Sequence, residues 1–214
     1  AHCPSPLRAR YLCRRRPGRA ERRTPADADA MDTPPKAITP AAPVETPAPA
    51  TQSATFEMPG LPFQLRPLLR ADLPQLANVY RAAINELASR DYDADQRRVW
   101  QAQANDAAFI ERLAEGVTIV ADHHGTPVAF AQLCPANHLR MMYVDPEWAG
   151  LGIATLLYQY LEDEARILGS RELTTEASHT AKRFFESVGF RALEEEVVVL
   201  DGVSLARTKM EKKL

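Results

Sequence analysis

The chain has 214 residues, 45% of them hydrophobic and 25% charged, with a formal net charge of −2. That is enough apolar material for one good core, and no excess of charge that would mark the folded part as a nucleic-acid binder. No run reaches the roughly 18 apolar residues of a membrane span. Of three cysteines, Cys3, Cys13 and Cys134, one falls in the folded part, so a membrane span and a disulfide framework there are excluded, which fits a reducing, cytoplasmic setting.

Twelve of the 17 prolines fall in the first 62 residues, among Ala, Thr, Ser and Arg. Such a segment cannot bury enough apolar area to offset the entropy of ordering it. Residues 1–60 therefore read as a disordered extension and residues 61–214 as a single domain. Residues 1–30 carry eight arginines against Glu21, Asp27 and Asp29, a net of +5. An Arg-rich tail could bind nucleic acid, phospholipid or an import receptor. Since Met31 begins a stretch of ordinary acidic balance, residues 1–30 are read instead as a translated upstream segment or expression remnant.

Within the domain, Phe63 to Arg66 can start a sheet. Asp72 is expected to cap a helix with Pro74 in its first turn and Leu73, Leu76, Val79, Tyr80, Ala83, Ile84 and Leu87 along one side, ending before Asp91. Asp95 to Gln103 and Asp106 to Ala114 predict two more helices. The period then changes. Val117 to Ala121 and Thr126 to Leu133 are strand-like, joined by Asp122-His123-His124-Gly125 as a hairpin. Cys134 closes the second run and reads as a small buried hydrophobe.

Leu139 to Val144 is a short apolar strand stopped by Asp145-Pro146, and from Ile153 to about Leu168 the apolar residues recur three or four apart, as in a helix. Between them lies Ala149-Gly150-Leu151-Gly152-Ile153-Ala154. Unpaired amides and the positive end of a helix dipole make such a loop a site for phosphate or pyrophosphate. Arg171 to Glu176 is a strand and Ser178 to Val188 a helix. Val197 to Leu200 and Val203 to Lys209, joined by Asp201-Gly202, form a last hairpin. This order predicts a mixed α/β sheet, mostly antiparallel. A dinucleotide site is disfavoured: Gly150 and Gly152 are followed by Thr155 where a third glycine belongs, although Glu172 sits 20 residues on.

The strand, Val144-Asp145-Pro146-Glu147-Trp148, the glycine loop and the long helix together resemble the acetyl-CoA motif of the GCN5-related N-acetyltransferase (GNAT) superfamily. The block Ala177-Ser178-His179-Thr180-Ala181-Lys182-Arg183-Phe184-Phe185-Glu186-Ser187-Val188-Gly189-Phe190 is similar to its later helix with an aromatic turn. Asp91 to Gln96 followed by Trp100, the pattern from Glu176 to Glu186 and the closing strand most resemble the YafP-type bacterial branch. The resemblance implies a six- or seven-stranded, mostly antiparallel sheet flanked by helices, with a central parallel strand pair splayed apart. It also implies acetyl-CoA as co-substrate and, as is common in the superfamily, a homodimer.

The resemblance also implies a site. Acetyl-CoA lies between the strands Leu139 to Val144 and Arg171 to Ala177, against Met142, Tyr143, Val144, Ala149, Gly150, Leu151, Gly152, Ile153, Ala154, Ser178 and Phe185. Ala149 stands where the superfamily usually has Gln or Arg, so one phosphate contact is missing. Phe185 stands where many relatives have a tyrosine that protonates the leaving thiolate; either Tyr143, the first choice, Tyr92, another group or solvent serves instead, or a dedicated acid is unnecessary.

An amine nucleophile with pKa near 10.4 must lose a proton, a deficit on the order of 4 kcal/mol at neutral pH. Glu176 is the first candidate for its base, ahead of His138 and His179, and the other reading is an exposed strand-end carboxylate. Asp91 or Asp95, with Tyr92, Gln96 and Trp100, is the candidate acceptor site; the alternative is a capped helix start with Trp100 in the core. No metal site is expected. The chain is thus expected to acetylate a primary amine of a small molecule by direct attack. The alternatives are acetylation of a protein lysine or N-terminus, and a non-catalytic acyl-CoA-binding module.

Overall fold

A computed structural model describes residues 62–214; the expectations for the N-terminal extension lie outside the described residues. Strand β1 (Gln64–Pro67) leads through a turn to helix α1 (Leu73–Ala82), which runs on into a π-helical turn at Ala83–Leu87. Asp72 does not cap α1 with its side chain. Its carboxylate accepts hydrogen bonds from Leu69 N–H at 2.7 Å and from both terminal nitrogens of Arg66 at 2.7 and 2.9 Å. Arg66 also donates to Asp122 at 2.7 Å. A half-buried guanidinium needs its carboxylates more than the helix needs a side-chain cap, because a charge drawn out of water is tolerated best when paired.

Helix α2 (Ala94–Ala102) is capped by Asp93, whose carboxylate accepts from Gln96 N–H at 2.8 Å while the Gln96 side chain accepts from Asp93 N–H at 3.0 Å, a reciprocal box. Helix α3 (Ala107–Leu113) is capped by Asp106. Then come β2 (Val117–His123), β3 (Thr126–Leu133), β4 (Leu139–Val144), helix α4 (Ile153–Ile167), β5 (Glu172–Ser178), helix α5 (His179–Ser187), β6 (Arg191–Leu200) and β7 (Val203–Lys213).

The seven strands form two antiparallel sheets, ordered β1-β2-β3-β4 and β5-β7-β6. What joins them is one parallel bridge between His138 and Thr174. Leu157 and Leu161 of α4, Phe185 of α5 and Ile119, Ala131, Leu139 and Leu173 of the strands form one core. Leu76, Val79 and Tyr80 of α1, with Phe109 and Leu113 of α3, cover Val120 and Phe130 on the other face. β2 and β3 are therefore buried on both sides, which is why they read as apolar runs.

The last hairpin is longer than its sequence suggests, for β6 begins at Arg191 rather than Val197. The acidic run Glu194 to Glu196 is drawn into the sheet by cations opposite: Lys209 Nζ lies 2.5 Å from Glu194 and Arg207 Nε 2.5 Å from Glu196. Among the described residues no helix is long and apolar enough to cross a membrane.

Candidate active site at the strand split

β4 and β5 begin side by side and then part. Thr174 N–H donates to Asn137 O at 2.9 Å and Thr175 Oγ1 to Leu139 O at 2.9 Å. Beyond these ties no bridge joins the strands among the described residues. β4 is bent here, since a register shift against β3 leaves Arg140 without a partner across the ladder; a bulge of this kind turns a strand away from its neighbour. The gap opens into a cavity of about 670 Å³.

The glycine loop forms one wall of that cavity. A 3₁₀ turn at Pro146–Trp148, capped by Asp145, delivers the chain to Ala149. Gly150 and Gly152 then take φ of +79° and +81°, a conformation costly for any residue with a Cβ. An added Cβ at either would meet nothing within 4 Å, so the space above both glycines is open. Gly152 heads α4 without a side-chain cap. The first rung of the helix runs from Leu156 N–H to Gly152 O at 3.2 Å, which leaves the amides of Ile153, Ala154 and Thr155 ahead of the ladder, ready for an anion.

At the closed end of the split stands a chain of polar groups. His138 Nε2 lies 3.1 Å from Glu176 Oε2, and His138 Nδ1 lies 2.9 Å from Thr174 Oγ1. The hydrogen bond from His138 holds the Glu176 carboxyl below the usual carboxylate range, against its burial and with help from Arg207 and Lys209. Glu176 lines the cavity as a carboxylate rather than an acid.

Tyr143 lines it too, from β4, with its ring 4.6 Å from that of Tyr80. Burial pushes the Tyr143 phenol up to about 12, against hydrogen bonding with Trp100 and Tyr80. It keeps its proton at neutral pH. Phe185 is buried against Phe184 and Phe190 and supplies no hydroxyl.

Of the expected cofactor residues, Met142, Tyr143, Val144, Ala149, Gly150, Gly152, Ile153, Ala154, Ser178 and Phe185 all line the cavity, and Leu151 does not. Leu151 is 56% exposed.

The expected acceptor residues divide differently. Trp100 lines the cavity; Asp91, Tyr92 and Gln96 do not. Tyr92 is buried, its hydroxyl accepting from His179 N–H at 3.0 Å and donating to Ala206 O at 2.7 Å. Asp91 accepts from Thr180 Oγ1 at 2.7 Å, and Gln96 belongs to the capping box and reaches Ser204 O at 2.9 Å. Ala83, Ile84, Leu87 and Ala88, from the π turn and the residue after it, line the cavity together with Trp100. Helical spacing predicts the first three of these as core contacts of a regular helix. A π turn inserts an extra residue and rotates the next part of the chain, and nothing in the helical spacing of Ala83, Ile84 and Leu87 signals it.

The model of the family described as "Acetyltransferase (GNAT) domain" matches residues 88–214. The Escherichia coli K12 protein "Uncharacterized N-acetyltransferase YafP" is 33% identical over 140 residues, covering 65% of this chain and 89% of that one. A GCN5-related N-acetyltransferase from Rhodopseudomonas palustris, whose crystal structure is also labelled class-II aminotransferase, superposes with a TM-score of 0.68 at 36% identity, over 70% of this chain and 94% of that one. The PaiA N-acetyltransferase of Thermoplasma acidophilum, solved with coenzyme A, shares the fold with a TM-score of 0.59 at 20% identity, over 72% and 100% of the two chains. Fold, split and loop thus define an acyl-CoA-dependent N-acetyltransferase. The chain belongs to the GNAT family.

Proposed function

We propose that this acetyltransferase moves the acetyl group of acetyl-CoA onto the primary amine of a small molecule by direct attack. The observation that carries the reading is the split itself, tied at His138/Thr174 and open over two left-handed glycines. Amides at the head of α4 suit a diphosphate, and strand edges released by the split suit the amides of pantetheine. Each charge-assisted hydrogen bond of this kind contributes about 1.5 to 3 kcal/mol.

Glu176 attracts the incoming ammonium, which gives up one proton to solvent; the neutral amine then attacks the thioester carbonyl, and Glu176 takes the second proton from its nitrogen as the C–N bond forms. The C–S bond then breaks, and Tyr143 donates a hydrogen bond to the departing thiolate. A thiol with pKa near 8.5 needs little more help than that. Direct transfer is supported by the place of Cys134, a fully buried side chain outside the cavity lining.

The test is free-thiol release from acetyl-CoA on addition of primary amines to the full chain, with the N-acetyl product identified by mass. Release that depends on the amine supports the reading. Acetyl-CoA binding without release on any amine, or a stable acetyl label on the chain in the absence of acceptor, contradicts it.

A further inference from the structure

The acceptor end of the cavity is unusually poor in groups able to hold a second polar function. Among the described residues, two charged side chains line the cavity, Arg140 and Glu176. Arg140 is engaged by Glu115 at 2.6 Å and Glu176 by His138. The β5 and α5 hydroxyls are also in use: Thr175 donates to Leu139 O, Ser178 accepts from Ala181 N–H, and Thr180 donates to Asp91. Facing them are Ala83, Ile84, Leu87, Ala88 and the indole of Trp100. The indole is fixed edge-on against Tyr92, with ring centroids 5.2 Å apart. One carboxylate beside an apolar and aromatic wall is complementary to one ammonium on an apolar body.

Resting on the amine-acetylation reading, we propose that the acceptor is an apolar monoamine, an alkyl- or arylalkylamine, and not an amino acid, a polyamine or a lysine side chain of a peptide. A carboxylate carried on the same body would lie beside Glu176, and the cation that lines the cavity, Arg140, is already paired with Glu115. A second ammonium would be set against the apolar Leu87 and Ile84, with no carboxylate besides Glu176 among the described residues that line the cavity, and a polar group taken out of water without a partner is disfavoured.

The experiment measures kcat/KM by thiol release for n-alkylamines of increasing length, 2-phenylethylamine, phenylalanine, 1,4-diaminobutane and a lysine peptide. The expected result is a rise of roughly 4-fold per methylene along the alkylamines, and a preference of about 100-fold or more for 2-phenylethylamine over phenylalanine. Butylamine should exceed 1,4-diaminobutane. Phenylalanine, the diamine or the peptide matching the apolar amines overturns the proposal while leaving amine acetylation intact; no release with any of them overturns both.

Leu87 is partly exposed, so Leu87→Asp is a substitution the fold tolerates. It should raise the diamine relative to butylamine by about 10-fold, because it places an anion beside the second ammonium. An unchanged ratio in a variant with the parent's melting temperature removes this wall from the acceptor site and overturns the proposal.

Discussion

Glu176 and His138 meet although 37 residues separate them in sequence, because the parallel bridge sets His138 beside Thr174, two residues before Glu176. Glu176→Gln should lower kcat by about 10²- to 10⁴-fold, the usual span for a general base. The loss should shrink as pH rises toward the pKa of the amine, where the nucleophile is neutral without help. His138→Ala removes the largest influence holding the Glu176 pKa down. The acid limb of the kcat/KM profile should therefore move to higher pH.

The same depression has a sign in stability. A carboxylate with a lowered native pKa stabilises the fold fully above the ordinary carboxylate range, and this is lost as pH falls through the lowered value. Urea titrations should show His138→Ala less stable than the parent at pH 7, with the gap closing in acid. Glu176 is legible in sequence as the last residue of a strand beside the split. Its partner is not, since the pairing exists only once the strands are placed. Asp91, Tyr92 and Gln96 are equally visible as a polar and aromatic cluster before a helix. Capping and anchoring claim them because Ala206, Ser204 and Thr180 arrive from later in the chain.

The glycine loop and α4 form the element most completely written in local sequence. A strand stopped by Asp145-Pro146, two glycines with left-handed backbone and an amphipathic helix need no long-range partner to be recognised. Most helix and strand limits come from the same periodicities within a residue or two. The exceptions are set by tertiary partners. Arg66 takes Asp72 away from α1, and Arg207 and Lys209 extend β6 through three glutamates. The bulge at Arg140 has neither glycine nor proline to announce it. Ala149 lines the cavity at the loop's entrance and carries no polar group. Ala149→Arg should tighten acetyl-CoA binding by about 10-fold or more, the equivalent of one charge-assisted hydrogen bond, with little change in kcat. Calorimetric titration of both forms checks this.

On the scale of the whole molecule, two antiparallel sheets meet, among the described residues, at a single bridge, and the space where they part is the cavity. Something other than ladder hydrogen bonds must then hold the halves in register. Tyr92 does part of this from its burial beneath α5. Its hydroxyl ties the segment after α1 to the head of α5 and to β7. Tyr92→Phe leaves the His179 amide and the Ala206 carbonyl without that partner. It should destabilise the chain by about 1 to 3 kcal/mol in urea unfolding. KM for the amine should stay close to the parent's, as expected for an anchor outside the cavity. The antiparallel order of most strands comes from hairpins visible in sequence, whereas the extent to which β4 and β5 diverge depends on the bulge and the Thr175 tie.

The most direct test is a calorimetric titration of acetyl-CoA into the full chain and into Gly152→Val. Saturable 1:1 binding by the parent, weakened at least 10-fold in a variant that is less stable yet still cooperatively folded at the temperature of the titration, is the outcome expected if left-handed backbone at the head of α4 seats the donor. Absence of binding, or affinity untouched by the added side chain, would contradict it.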